Sequence, residues 1–174
     1  ETPRRVISYA IDADADYRGA DIETHGSIIS FTVFERGTEL GRISLNIPGR
    51  HNVLNALACI AVARLAGVEF TQIQDALAGF HGAKRRFQTK GKERGVWVVD
   101  DYAHHPTEIA VTLAAARQTT PGRLICVFQP HRYSRTQLLR EEFGSCFKNA
   151  DLLLLTDVYA AGEAPIPGNS GETL

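Results

Sequence analysis

The sequence predicts an α/β protein in two parts, a small antiparallel β unit with helices followed by a parallel-sheet domain. The first part opens with β-rich or alternating segments, and the second alternates apolar strand-like segments with helical ones. In the second part, three apolar segments also run directly into ionisable residues, as VWVVDDYAHHP, LICVFQPHRYSR and LLLLTDVYAAGE. Because parallel strands end along one edge of a sheet, where open α/β sheets bind ligands, that edge is the predicted functional site.

The first part extends from Val6 to Ile47 and contains SIISFTVF and RISLNI, separated by a polar turn at residues 35–38. This pattern predicts antiparallel hairpins. The segment from His51 to Ala66 is apolar on most faces, which predicts a buried helix, and Gly67 is its expected C-terminal stop.

A second helix is predicted from a capping-box pattern, since Thr71 stands three residues before Gln74. It is expected to end near Gly79, and the following GFHGAKRRF is the predicted domain junction. The chain is therefore divided into residues 1–82 and residues 83–174.

Strand-helix alternation in the second part predicts three parallel strands joined by right-handed crossovers. The predicted strands and helices are Val96–Asp100, Pro106–Gln118, Leu124–Phe128, Arg135–Lys148 and Leu152–Asp157.

Capping and periodicity add detail to the two predicted helices. Pro106 suits a first helical position, which leaves His105 near the N-cap, and Ser134 with Gln137 forms a second capping-box pattern. The faces expected to point inward are Ile109, Leu113 and Ala116 on the first helix, and Leu139, Phe143, Cys146 and Phe147 on the second.

Composition excludes several classes of protein. The chain has 174 residues with 44% hydrophobic content, enough for a packed core. It has 19 Lys plus Arg against 20 Asp plus Glu, and this near balance gives no reason to expect a nucleic acid or an acidic membrane as partner.

Cys59, Cys126 and Cys146 show no CxxC spacing, which predicts buried free thiols in a reducing compartment, the cytoplasm. The chain lacks methionine altogether, so we expect it to be a piece of a longer protein.

The first ionisable cluster comprises Asp100, Asp101, His104 and His105, at a strand end and the start of the next helix. Free N–H groups and the helix dipole attract anions there and disfavour a charged histidine. Taken singly, each residue is better explained by loop and cap hydrogen bonds. A metal site is disfavoured because adjacent side chains seldom converge on one ion. Four together favour a functional site.

The second ionisable cluster comprises His131, Arg132 and Arg135, with the arginines just before and inside the first turn of a helix. The planar guanidinium binds carboxylate or phosphate through two hydrogen bonds, so an anionic ligand is predicted. The alternative is that the arginines are solvated or pair with Glu141 and Glu142.

Two further sets of residues suggest nucleotide contacts. Asn52 and Asn55 share one face of the first turn of the apolar helix, where amides suit an adenine edge or a ribose, although capping explains Asn52 as well. The basic run Lys84, Arg85 and Arg86 is either a solvated patch or the source of one phosphate-binding arginine. The sequence has no GxxxxGKS or GxxxxGKT phosphate loop.

Five strings, PGRHNVLNALACIAVA, FHGAKRRF, VVDDYAHHPTEI, FQPHRYSRT and TDVYAAGE, occur in the order and with the spacing typical of one family. The sequence resembles the Mur ligases, most closely the alanine-adding branch. The resemblance implies the end of a central ATPase domain followed by most of a Rossmann-like C-terminal domain. It also implies peptidoglycan synthesis, in which the carboxylate of UDP-N-acetylmuramate takes the γ-phosphate of ATP and the amine of L-alanine attacks the acyl phosphate.

By the same resemblance, the nucleotide contacts and the catalytic residues fall on named positions. The expected ATP contacts are His51, Asn52 and Asn55 at the adenine, Arg86 at the phosphates and Asp101 at the ribose. The expected catalytic and amino-acid-binding residues are His104, His131, Arg132 and Arg135.

The phosphate loop and the ligands of Mg²⁺ are expected upstream of this chain, so the 174 residues alone are expected to be inactive. Two alternatives stay open. One is the related ligase that recycles murein tripeptide, and the other is a non-catalytic ligand-binding module of the same fold.

Overall fold

A computed structural model describes residue 4, residues 6–119 and residues 122–174. The chain divides into two compact units, Glu1–Phe87 and Gln88–Leu174, and each is described by itself. No helix within the described part of the chain is long and apolar enough to cross a membrane.

The first unit contains a four-stranded sheet whose strands lie in sequence order. Its strands are β1 (Tyr9–Ala10), β2 (Tyr17–His25), β3 (Ile28–Glu35) and β4 (Thr38–Leu45). The β2–β3 and β3–β4 pairs are antiparallel, whereas β1 is parallel to β2. The predicted hairpin is therefore confirmed, and its two-residue turn, Arg36 and Gly37, has φ of 49° and 83°.

Two helices, α1 (Arg50–Leu65) and α2 (Phe70–Ala78), complete the first unit. One face of α1 packs on the sheet, and Gly67 stops the helix with φ of 82° as predicted. The prediction of a fully buried helix was wrong, because Val62 and Leu65 are exposed on the opposite face. Cys59 is exposed as well, so the prediction of three buried thiols holds for Cys146 and only in part for Cys126.

The start of α2 differs from the predicted capping box. Glu69 is the N-cap and exchanges hydrogen bonds with Gln72, whereas Thr71 lies inside the helix. The Glu69 side chain accepts the Gln72 backbone N–H, so the N-cap lies two residues upstream of the predicted Thr71. The end at Gly79 is confirmed.

The second unit has seven elements. They are β5 (Gln88–Glu93), β6 (Val96–Asp100), α3 (Pro106–Thr119), β7 (Ile125–Phe128), α4 (Tyr133–Leu138), α5 (Arg140–Cys146) and β8 (Leu152–Leu155). The last strand ends two residues before the predicted Asp157, and Pro106 begins α3 as predicted.

The prediction of one sheet with three parallel strands was only partly right. β7 and β8 are parallel neighbours, but β6 pairs antiparallel with β5 in a separate two-stranded sheet. Arg94 and Gly95, with φ of 50° and 79°, form the tight turn of this hairpin, so local pairing determines the partner of β6. The polar segment QTKGKE gave no strand signal, and for that reason β5 was missed.

The predicted long helix from Arg135 to Lys148 is two short helices, separated at Leu139, where φ is −108° and ψ is 25°. The Ser134–Gln137 capping box was also wrong, since the N-cap is Arg132 and Ser134 lies within α4. The Ser134 hydroxyl donates to the Glu163 carboxylate instead.

The core of the second unit lies among α3, α5 and the β7–β8 sheet. Its buried members are Ile109, Leu113, Phe128, Phe143 and Cys146, with Leu139 and Phe147 packed against them. The predicted inward faces are thus confirmed, except that Ala115 is buried where Ala116 was expected.

Candidate functional site

Three ring side chains from the ionisable clusters lie together in the second unit. The His104 and His131 ring centroids are 6.0 Å apart, and the His131 and Tyr159 centroids are 5.4 Å apart. His131 and Tyr159 also form a parallel β-bridge beyond the ends of β7 and β8. The three clusters therefore converge as predicted, although β6 belongs to another sheet.

His131 is held in one orientation by its neighbour on α4. The Arg135 Nη1 group donates to the His131 Nδ1 atom and to the His131 carbonyl, both at 3.3 Å. A guanidinium can only donate, so Nδ1 carries the lone pair and a neutral ring carries its proton on Nε2. Partial burial lowers the pKa of His131, and the positive charges of Arg135 and Arg132 lower it further. The ring is therefore a neutral Nε2–H donor at neutral pH.

His104 has the complementary arrangement. Its Nδ1 atom lies 2.9 Å from the Tyr102 carbonyl, which can only accept, so in the neutral ring the proton sits on Nδ1 and Nε2 is the acceptor. The Glu108 carboxylate accepts the backbone N–H groups of His104 and His105, at 3.0 and 3.3 Å, and fixes this turn against α3. The site thus presents one histidine as donor and the other as acceptor.

Two other members of the first cluster have structural contacts. The Asp101 Oδ1 atom accepts the Ala103 N–H at 2.7 Å, which shapes the turn after β6. His105 lies at the N-cap of α3, as predicted, and its Nδ1 atom accepts the Thr107 N–H at 3.4 Å. The capping alternative is therefore right for His105. Asp100 ends β6 and is half-buried.

Arg132 occupies a strained position immediately before α4. Its φ of 73° lies in the left-handed region that side chains other than glycine rarely adopt. The Arg132 N–H donates to the Tyr159 carbonyl at 2.8 Å, and its carbonyl accepts the N–H and the hydroxyl of Thr136. These hydrogen bonds to Tyr159 and Thr136 therefore fix the backbone at Arg132 and the first turn of α4, which carries Arg135.

Sequence reasoning did not name Tyr159, Glu163, Glu108 or Tyr102 as site residues. The strand-end cluster TDVYAAGE was a signal for the first two, because it follows β8 as the other clusters follow their strands. Tyr102 acts through its backbone carbonyl, for which the sequence carries no signal.

The candidate nucleotide residues of the first unit lie at the start of α1 and at the end of the unit. The Asn52 amide donates to the Pro48 carbonyl at 2.7 Å, and the Asn55 amide donates to the Asn52 side-chain oxygen at 3.2 Å. Asn52 therefore ties the helix to the preceding turn, while Asn55 is exposed. His51 is half-buried, and Arg86 is exposed.

A magnesium ion bound by the protein alone would need several oxygen ligands that converge on one point. Among the described residues, no group of three or more His, Cys, Asp or Glu side chains is placed to hold a metal. No metal ligand is assigned here.

The pKa of His131 provides a test of the second cluster that needs no substrate. We expect the ring in the 174-residue chain to titrate below its ordinary value of 6.5, and Arg135→Gln to raise its pKa because a positive charge is removed. Since the unfolded chain binds this proton at a higher pH, the free energy of unfolding should rise with pH between the lowered pKa and 6.5. NMR titration measures the pKa, with Arg140→Gln as the control, and titration at or above the ordinary value would contradict the geometry.

Two family models match the chain. The model of the Mur ligase middle domain matches residues 1–63, and the model of the Mur ligase glutamate ligase domain matches residues 85–174.

Individual relatives agree with these matches. The chain is 52% identical over 172 residues to a UDP-N-acetylmuramate–L-alanine ligase of Geobacter sulfurreducens, covering 98% of this chain and 37% of that protein. It is 49% identical over 174 residues to the protein of the same name from Anaeromyxobacter, covering all of this chain and 38% of that protein. The chain thus spans less than two fifths of the length of the curated relatives it matches.

Solved structures are similar too. The crystal structure of the UDP-N-acetylmuramate-alanine ligase MurC from Thermotoga maritima matches with a TM-score of 0.76 and 29% identity, covering 88% of this chain and 34% of that one. A murein peptide ligase from Psychrobacter arcticus matches with a TM-score of 0.61 and 31% identity, covering 86% of this chain and 32% of that one.

Proposed function

Because this chain belongs to the Mur ligase family, we propose that the full-length protein joins L-alanine to UDP-N-acetylmuramate with ATP as the third substrate. The family is ATP-dependent, and the relatives at 49% and 52% identity carry the alanine ligase name. The observation that carries the proposal is the grouping of His104, His131 and Arg135 in one unit, with one histidine poised to donate and the other to accept.

The proposed reaction forms a C–N bond and breaks the C–O bond to phosphate. The carboxylate of UDP-N-acetylmuramate first takes the γ-phosphate of ATP, and ADP is released. The amine of L-alanine then attacks the resulting acyl phosphate and loses a proton, and inorganic phosphate departs. His104 Nε2 is the proposed acceptor of that amine proton, and the His131 Nε2–H is the proposed donor to the oxyanion that develops at the carbonyl. Both roles require the imidazole rings of His104 and His131 to be neutral before the amine attacks.

Arg135 and Arg132 are the proposed anion-binding groups. The guanidinium of Arg135 is held beside His131, and this fixed positive charge supports its proposed role as the partner of the L-alanine carboxylate. Arg132 adds a second positive charge at the start of α4.

ATP contacts are proposed on each unit by itself. In the first unit they are His51, Asn52 and Asn55 for the adenine and Arg86 for the phosphates, and in the second unit Asp101 for the ribose. No step is routed through Mg²⁺, since its ligands are not assigned to this chain. We place the reaction in the cytoplasm, where ATP is available.

Phosphate release by the full-length protein tests the proposal. With ATP, Mg²⁺ and UDP-N-acetylmuramate present, we expect release when L-alanine is added and little when murein tripeptide replaces it. Release with tripeptide alone would favour the recycling ligase, to which the similarity with the murein peptide ligase points. No release with either amine would favour a non-catalytic module. The 174-residue chain, which contains no phosphate loop, is the negative control.

A further inference from the structure

The carboxylate of Glu163 lies against the start of α4, beside the second ionisable cluster. One of its oxygens accepts the Ser134 N–H at 2.9 Å and the other accepts the Ser134 hydroxyl at 2.6 Å. The Ser134 hydroxyl and then the Ser134 N–H lower the pKa of Glu163, and the charge of Arg132 adds to the effect. Glu163 is therefore ionised at neutral pH while both of its oxygens are engaged.

A tight turn directs Glu163 towards Ser134. Ala161 and Gly162 have φ of 50° and 87°, and the Glu163 N–H donates to the Ala160 carbonyl at 3.0 Å. The left-handed conformation at Gly162 suits glycine, which has no Cβ to clash. Consequently the last four residues of TDVYAAGE form a turn whose final side chain points back at α4.

The contacts of this segment surround the strained residue Arg132. On one side the Arg132 N–H is held by the Tyr159 carbonyl, and on the other side Glu163 holds Ser134. The Asn169 amide adds a third contact, to the Tyr133 carbonyl at 2.6 Å. A left-handed arginine persists only where its surroundings fix it on both sides. Releasing Ser134 removes one of the restraints on the α4 side, where Arg135 also lies.

We propose that Glu163 is a positioning residue that fixes the start of α4 and thereby the direction in which Arg135 and His131 face the amino-acid substrate. In this proposal Glu163 acts through Ser134, whose N–H and hydroxyl its two carboxylate oxygens accept, and not by direct contact with the substrate. This inference rests on the proposed function, in which Arg135 binds the carboxylate of L-alanine. The negative charge of Glu163 also acts directly on His131, where it opposes the lowering of the pKa by the arginines.

The kinetic test uses the full-length protein with Glu163→Ala, Glu163→Gln and Ser134→Ala. We expect Glu163→Ala to raise KM for L-alanine about 10-fold, the order expected for losing a charge-assisted hydrogen bond, with KM for ATP and for UDP-N-acetylmuramate unchanged. Glu163→Gln keeps the shape and two hydrogen bonds to Ser134, so it should restore most of the loss. Ser134→Ala should follow Glu163→Ala in direction with a smaller effect, since the backbone N–H remains.

Glu172→Ala removes an exposed carboxylate of the same unit and is the matched control. Unchanged KM for L-alanine in Glu163→Ala, or equal rises in all three KM values, would overturn the proposal, because a merely structural contact does not discriminate among substrates. If Glu163→Ala fails to fold, the three KM values are measured in Ser134→Ala, and the same results support or overturn the proposal.

A second readout separates this proposal from the proposed function. In Glu163→Ala the NMR titration of His131 in the full-length protein should move to lower pH, because the negative charge of Glu163, which raises the pKa of His131, is removed. If the wild-type protein is inactive but Glu163→Ala still shifts the His131 titration, the ligase function is refuted and Glu163 remains coupled to His131. If the wild-type protein is active but Glu163→Ala changes neither the His131 titration nor KM for L-alanine, the positioning role alone is refuted.

Discussion

Replacing Arg135 by alanine in the full-length protein is expected to raise KM for L-alanine and to lower kcat/KM for this substrate by about 10²-fold, the scale of a lost charged hydrogen bond to a carboxylate. The change removes the guanidinium that lies 3.3 Å from His131 Nδ1, so the imidazole also loses the group that fixes its tautomer. Steady-state kinetics with each substrate varied in turn measure the effect. KM for ATP should stay within about twofold of wild type, since Arg135 is not among the proposed ATP contacts.

Arg123→Ala is the matched control for Arg135→Ala, because Arg123 is an exposed arginine of the same unit outside the three ionisable clusters. It should leave all kinetic constants close to those of wild type. If Arg135→Ala raised KM for ATP as much as KM for L-alanine, the assignment of Arg135 to the amino-acid carboxylate would be wrong.

Replacing Phe143 by alanine is expected to reduce the free energy of unfolding of the second unit by about 3–5 kcal/mol, the usual loss for a phenylalanine deleted from a core. Phe143 is 1% exposed, and its ring centroid lies 5.7 Å from that of Phe128. The deletion leaves a cavity between α5 and β7. Trp97 is the single tryptophan of the chain and lies in the same unit, so its fluorescence during urea unfolding reports on this unit.

Leu138→Ala is the control for Phe143→Ala, because Leu138 is a large apolar residue of the same unit that is 80% exposed. Its effect should stay within about 0.5 kcal/mol, as is usual for exposed positions. A loss of less than about 1 kcal/mol for Phe143→Ala would show that the packing of α5 on β7 is not as described.

The strongest sequence signals were local, and those elements were predicted well. Apolar runs placed β6, β7 and β8, Pro106 marked the start of α3, and Gly67 marked the stop after α1. Each of these signals depends on neighbouring residues alone, through side-chain periodicity or backbone φ. Cap assignments were less reliable, since the N-cap of α2 is Glu69, which accepts the Gln72 N–H, and Thr71 lies inside the helix.

Among the features of the candidate site, the sequence by itself determined which residues end the three strands. For His131 and the TDVYAAGE segment, which follow the parallel neighbours β7 and β8, it therefore also determined that they lie close together, whereas the approach of His104 was decided by the tertiary structure. Their chemistry was decided by the tertiary structure. The tautomers of His131 and His104 follow from contacts with Arg135 and with the Tyr102 carbonyl, and the Ser134–Glu163 pair joins residues 29 positions apart in sequence. Hydrogen-bond direction and pKa depend on which groups approach in space, and periodicity and spacing carry no information about that. The partner of β6 was decided in the same way, because pairing in a sheet depends on which strand reaches its edge, and the polar β5 showed no apolar signal.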